Sequence, residues 1–107
     1  METNRIPSES PAHVRDAQRP LLNKVALVTG AAGAIGSGIC AALIENGCRV
    51  ATADLPGDRL DALVNELKAA AGDGILAVPM DVTSPDDVRR GFDRIVAAWG
   101  GPGTLVV

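Results

Sequence analysis

Thr29-Gly30-Ala31-Ala32-Gly33-Ala34-Ile35-Gly36 lies between an apolar run, Lys24 to Val28, and a segment, Ala34 to Asn46, whose apolar residues recur at helical spacing. A strand that enters a glycine-rich turn and leaves it as a helix is the sequence form of a phosphate cradle. The turn gathers backbone N–H groups, and the positive end of the helix dipole attracts a pyrophosphate. Three spaced glycines are a weak signal alone. The next β-like run, Arg49 to Ala53, ends in Asp54, eighteen positions after Gly36, near the spacing at which an acid meets a ribose hydroxyl in dinucleotide sites.

Outward from this unit the chain alternates strand and helix signals. Val25 to Val28 is apolar at every position, as in a strand covered on both faces. In the helix that follows, Ile35, Ile39, Ala42 and Leu43 are expected to form the buried face, with Gly47 as its stop. Pro56-Gly57 marks a turn, and Asp58 is expected to cap a second helix to about Ala71, striped by Leu60, Leu63, Val64 and Leu67. Gly72-Asp73-Gly74 breaks it, and Ile75 to Met80 reads as a third strand. Asp81-Val82-Thr83 leaves that strand at the end where ligands of open α/β sheets gather. Ser84-Pro85-Asp86-Asp87 is a helix start with an N-cap Ser, Pro at the first helical position and an acid two further on. The third helix is striped by Val88, Phe92, Ile95 and Trp99, with Gly91 a slight weakness, and Thr104 to Val107 begins a fourth strand. The expected fold class is α/β. It is a Rossmann-type doubly wound parallel sheet, incomplete, with about four strands and three helices.

Composition narrows the function classes. A chain of 107 residues, 47% hydrophobic, builds one modest core. A net charge of −3 without a basic face argues against nucleic acid or anionic membrane as a partner. Residues 1–23 carry Pro7, Pro11, Pro20, His13 and scattered charges, and are expected to form a disordered tail ahead of a partial dinucleotide-binding domain at 24–107. That tail lacks the apolar stretch of a signal peptide and contains acids uncommon in transit peptides, so a cytoplasmic location is expected. Cys40 and Cys48 lack metal-ligand spacing and read as small buried hydrophobes; no metal site is expected.

The glycine turn, Asp54, Asp81-Val82 and Thr104 to Val107, in this order and spacing, resemble the N-terminal half of a short-chain dehydrogenase/reductase over Leu22 to Val107. The resemblance implies that Gly30 makes the tight turn and that the backbone of Gly33, Ala34 and Ile35 approaches the cofactor. Gly36 would let helix and strand pack closely. Asp54 would accept hydrogen bonds from the adenosine ribose hydroxyls and repel a 2′-phosphate, so NAD is expected in preference to NADP, with Arg59 near enough in sequence to temper that preference. Asp81 would bond the adenine amino group, and the Val82 backbone would meet the ring.

Three departures qualify the resemblance. The common family spelling has a glycine where this chain has Ala34, which adds a methyl group near the cofactor. Gly103 stands where the family usually carries an acid. The family's chemistry uses a Tyr and a Lys four residues later; this chain has no tyrosine, and Lys24 and Lys68 are its only lysines. No catalytic residue is therefore assigned. In complete relatives the implied reaction is hydride transfer between NAD and a small alcohol or ketone, and a small-molecule substrate is expected here only together with the second half of the fold. The alternatives are a noncatalytic nucleotide-binding or interaction module and an inert truncated fragment. The family's usual strand order, 3-2-1-4, would leave the fourth strand as an open edge, which makes self-association a further expectation. A P-loop is excluded by the absence of Gly-Lys-Ser/Thr, and a methyltransferase is disfavoured by Thr29 where an acid would lead the loop.

Overall fold

A computed structural model describes residues 21–100 and the backbone of 104–106. Strands β1 (Val25–Thr29), β2 (Arg49–Asp54), β3 (Ile75–Pro79) and β4 (Thr104–Val106) alternate with helices α1 (Ala34–Glu45), α2 (Asp58–Ala71) and α3 (Pro85–Trp99). The strands form one parallel sheet in the order β3-β2-β1-β4. Val25 of β1 pairs with Arg49 on one side and Thr104 on the other, so β1 is an inner strand.

Alternation along β1 divides the core. Ala26 and Val28 face Cys40, Ile44 and Leu63, with Ile39, Leu43 and Leu67 packed behind them. Val25 and Leu27 face the other way, onto Ile95, with Val88 and Trp99 alongside. Helices α1 and α2 thus cover one face and α3 covers the other, the doubly wound arrangement expected of an apolar inner strand. Thr52 is the polar residue buried among the described residues, and its hydroxyl donates to the Leu76 carbonyl at 3.1 Å.

Two helix faces differ from those expected. In α1 the buried positions are Gly36, Cys40 and Ile44, while Ile35 is 81% exposed and Ala42 is exposed as well. The reason is Gly36: a Cβ there would lie 2.2 Å from the Gly30 carbonyl oxygen, so the helix sits directly on the turn and its rotation is set by that approach. In α3 the buried positions are Gly91 and Ile95, and Phe92 is exposed. Gly91 is a packing residue, since a Cβ would fall 2.1 Å from Met80 Cε and 3.1 Å from Val78 Cγ1. Asp58 is the first residue of α2, and Gly57 occupies the N-cap position with no side-chain cap bond; the carboxylate acts on the dipole from inside the first turn.

The folded body begins ahead of Lys24. Leu21 donates its N–H to Asn46 O at 3.1 Å and packs against the core under α1. Most of the expected tail, His13 included, lies outside the described residues, as does Gly103. No described helix is long and apolar enough to cross a membrane.

Candidate functional site

Parallel strands all finish at one edge of the sheet, so the segments after β1, β2 and β3 meet there. After β1, Gly30 turns the chain at φ 65°, a left-handed conformation that favours glycine. Ala31 then donates its N–H to the Ala53 carbonyl at 3.1 Å, which ties the turn to β2. Gly33 donates its N–H to the Gly30 carbonyl at 3.1 Å and becomes the N-cap of α1. No side chain caps this helix and no acid lies in its first turn. The leading N–H groups of α1 therefore face the sheet edge with no acceptor supplied by a side chain among the described residues.

Asp54, half-buried at the tip of β2, stands beside this turn. Its Oδ2 accepts the Ala32 N–H at 2.9 Å and its Oδ1 accepts the Leu55 N–H at 2.8 Å. Each carboxylate oxygen keeps a further lone pair for a hydroxyl donor. Ala32 is gripped from its other end too: Arg59 Nη2, from the first turn of α2, donates to the Ala32 carbonyl at 3.1 Å.

After β3, Met80 donates its N–H to the Asp54 carbonyl at 2.8 Å, which brings Asp81 alongside. Thr83 donates both its backbone N–H (2.9 Å) and its hydroxyl (2.6 Å) to Asp81 Oδ1. These bonds hold the Asp81 carboxyl below the usual carboxylate range, the hydroxyl contributing most. Asp87 Oδ2 in turn accepts the Asp81 N–H at 3.0 Å. Its carboxyl is lowered first by that bond and then by Arg90, which donates to its Oδ1.

Two adjoining grooves result. One, of about 360 Å³, is lined by Gly30, Asp54, Met80, Asp81, Val82 and Thr83. The other, of about 370 Å³, lies between Ala32, Asp54 and Arg59, and the two share Asp54 and Leu55. A larger cavity, about 460 Å³, opens at the opposite ends of the strands between Cys48, Arg49, Asp73 and Trp99, away from these groups. Both thiols lie outside the grooves and are poor nucleophiles: burial pushes Cys40 up to about 11 and raises Cys48.

The residues singled out in the sequence fall into three positions. Gly30, Asp54, Asp81 and Val82 meet in one groove. Gly33, Ala34 and Ile35 form the mouth of α1, with Ala34 and Ile35 exposed. Gly36 is buried against the Gly30 carbonyl and shapes the turn from behind. Sequence reasoning missed Ala32 and Thr83 as site residues and gave Arg59 no contact. A cation in the first turn of α2 opposes the helix dipole, and that was the available signal for Arg59. The arrangement fits a dinucleotide: donors at a helix mouth, an acceptor one strand away, and room above the turn, where a Cβ on Gly30 would meet no atom within 4 Å.

The chain is similar to known proteins over most of its length. Residues 24–107 match the family model described as short chain dehydrogenase. The uncharacterized oxidoreductase YuxG of Bacillus subtilis is 43% identical over 79 residues, 73% of this chain and 12% of that protein. A short-chain type dehydrogenase/reductase from Mycobacterium marinum superposes with a TM-score of 0.72 at 34% identity, covering 81% of this chain and 35% of that one. L-sorbose reductase from Gluconobacter frateurii, solved with NADPH and L-sorbose, superposes with a TM-score of 0.73 at 27% identity, covering 78% of this chain and 32% of that one. The chain thus spans well under half the length of each of these relatives.

Proposed function

Since this chain belongs to the short-chain dehydrogenase family, we propose that residues 24–107 form the adenosine and pyrophosphate end of a nicotinamide dinucleotide site in an oxidoreductase acting on a small alcohol or ketone. The observation that carries the reading is Asp54, whose carboxylate sits in the groove with Asp81 and Val82 and bonds the glycine turn through Ala32.

The work divides among this chain's residues. The N–H groups of Ala34, Ile35 and Gly36, at the positive end of α1, hold the pyrophosphate. Asp54 accepts from the adenosine ribose hydroxyls, and its charge disfavours a 2′-phosphate, so NAD is preferred over NADP. Asp81 Oδ2, which has no protein partner among the described residues, receives the adenine amino group while the exposed Val82 lies against the ring. When bound, the nicotinamide cofactor supplies hydride chemistry. These residues bind and orient it, and none of them is assigned proton transfer to substrate, since the chain holds no tyrosine. The free thiols Cys40 and Cys48 suit a reducing, cytoplasmic setting. The outer edge of β4 is where a further strand or a second copy would add.

Calorimetric titration of the purified chain with NAD and with NADP tests this reading. Saturable NAD binding that is tighter than NADP binding, with the difference erased in Asp54→Ala, is the expected result. Absence of any dinucleotide binding by folded chain would overturn it.

A further inference from the structure

We propose that Arg59 is a positioning residue that latches the glycine turn through the Ala32 carbonyl, acting together with Asp54 to fix one peptide segment from both ends. The inference rests on the dinucleotide reading above and goes beyond it, because it assigns the turn's shape to a side chain on a different βα unit. Ala32 is held at both of its backbone polar groups. Its N–H is bound by Asp54 Oδ2 at 2.9 Å and its carbonyl by Arg59 Nη2 at 3.1 Å. The next residue, Gly33, is the N-cap of α1, so any swing of Ala32 moves the helix mouth.

The placement of Arg59 has no other account within the fold. It lies in the first turn of α2, where a cation is disfavoured by the dipole. It is exposed and adds nothing to the core. Among the described residues the ion pairs are Arg89 with Asp86 and Arg90 with Asp87, and Arg59 joins none, although Asp54 lines the same groove and Asp58 and Asp61 share its helix turn. Its hydrogen bond instead crosses to a carbonyl of the turn. A guanidinium suits this task because it is planar and always charged, and can donate to the turn while retaining donors for water.

The latch and a direct ligand contact predict different patterns. A contact with a 2′-phosphate would make Arg59→Ala cost NADP affinity alone. The latch makes Arg59→Ala weaken every ligand that carries the pyrophosphate, NAD and ADP-ribose alike, by about fivefold, the size of one net hydrogen bond. Adenosine, which does not reach the helix mouth, binds unchanged. Independently of any ligand, amide hydrogen exchange at Ala32 and Gly33 in the full chain quickens in Arg59→Ala, while exchange in β1 and β2 stays as it was. Arg59→Lys, which keeps a donor on a flexible stem, recovers part of the protection.

Faster exchange at Ala32 together with parallel loss of NAD and ADP-ribose supports the latch. Unchanged exchange at Ala32 overturns it, as does a loss confined to NADP. If the wild-type chain binds no dinucleotide, the functional reading fails, and the exchange measurement still decides whether Arg59 holds the turn.

Discussion

Helices α1 and α3 both begin at the C-terminal edge of the sheet, yet α3 provides for its own N-terminus and α1 does not. At α3, Ser84 Oγ accepts the Asp87 N–H at 3.3 Å, Pro85 removes a donor that would need a partner, and Asp86 and Asp87 lie in the first turn. Asp87 also reaches back to the Asp81 N–H, so the loop after β3 is closed by its own carboxylates. At α1 the N-cap is Gly33, with no side-chain cap and no acid. Gly33 has extended backbone that any residue adopts, and a Cβ there would make only an ordinary contact with the Gly30 carbonyl oxygen at 3.4 Å, so a Ser or Asp would fit at this N-cap. A helix start without an anion among the described residues, beside a carboxylate whose oxygens keep lone pairs open to hydroxyl donors, is suited to an external one.

Changes at the two helix starts test that contrast, and Gly36→Val has the largest expected effect. Its side chain would enter the space of the Gly30 carbonyl and force α1 off the turn, with a loss of about 3 kcal/mol in urea unfolding and of dinucleotide binding. Asp54→Ala comes next. It removes the acceptor for Ala32 and the one proposed for the ribose, and NAD affinity is expected to fall by about 2 kcal/mol in calorimetry, the scale of a hydrogen bond to a charged group. Ser84→Ala then isolates the closed end: unfolding stability drops by about 1 kcal/mol, the usual value of an N-cap, and NAD affinity stays unchanged.

Ala34→Glu makes the open end resemble the closed one. A carboxylate in the first turn of α1 raises stability by about 0.5 kcal/mol through the dipole, and it weakens NAD by occupying the position of the pyrophosphate. The smallest effect is on pH dependence. Asp81 and Asp87 have carboxyls lowered below their unfolded value of 3.8, so the folded state binds fewer protons than the unfolded one. Their contribution is present above that value and is lost as pH falls through the lower folded values. Thr83→Val removes the principal cause of the Asp81 shift, and its melting temperature declines less between pH 5 and acid than that of the wild type.

The difference between the two helix starts also marks how far the sequence could be read. Ser84-Pro85-Asp86-Asp87 states its own cap in four consecutive residues, and the observed helix begins at Pro85 as that spelling requires. The apolar β1 and the glycine turn are equally local, whereas the observed strand order was expected only through the family resemblance. The rotation of α1 was not legible from apolar spacing, because a contact between Gly36 and a backbone carbonyl sets it, which turns Ile35 outward. Gly91 was hidden in the same way, being defined by Met80 and Val78 on a neighbouring strand and its loop. The contact of Arg59 with Ala32 spans 27 positions and ends on a main-chain oxygen, a link without period or motif.

The measurement that bears most directly on the open helix start is amide chemical-shift mapping of the purified chain during titration with NAD. Large saturable shifts are expected at Ala34, Ile35 and Gly36 and at Asp54, with only small ones at Asp86, Asp87 and Val88, which the ligand reaches indirectly through Asp81. Shifts of equal size at both helix starts, or none at α1 when the ligand is bound, would contradict this expectation.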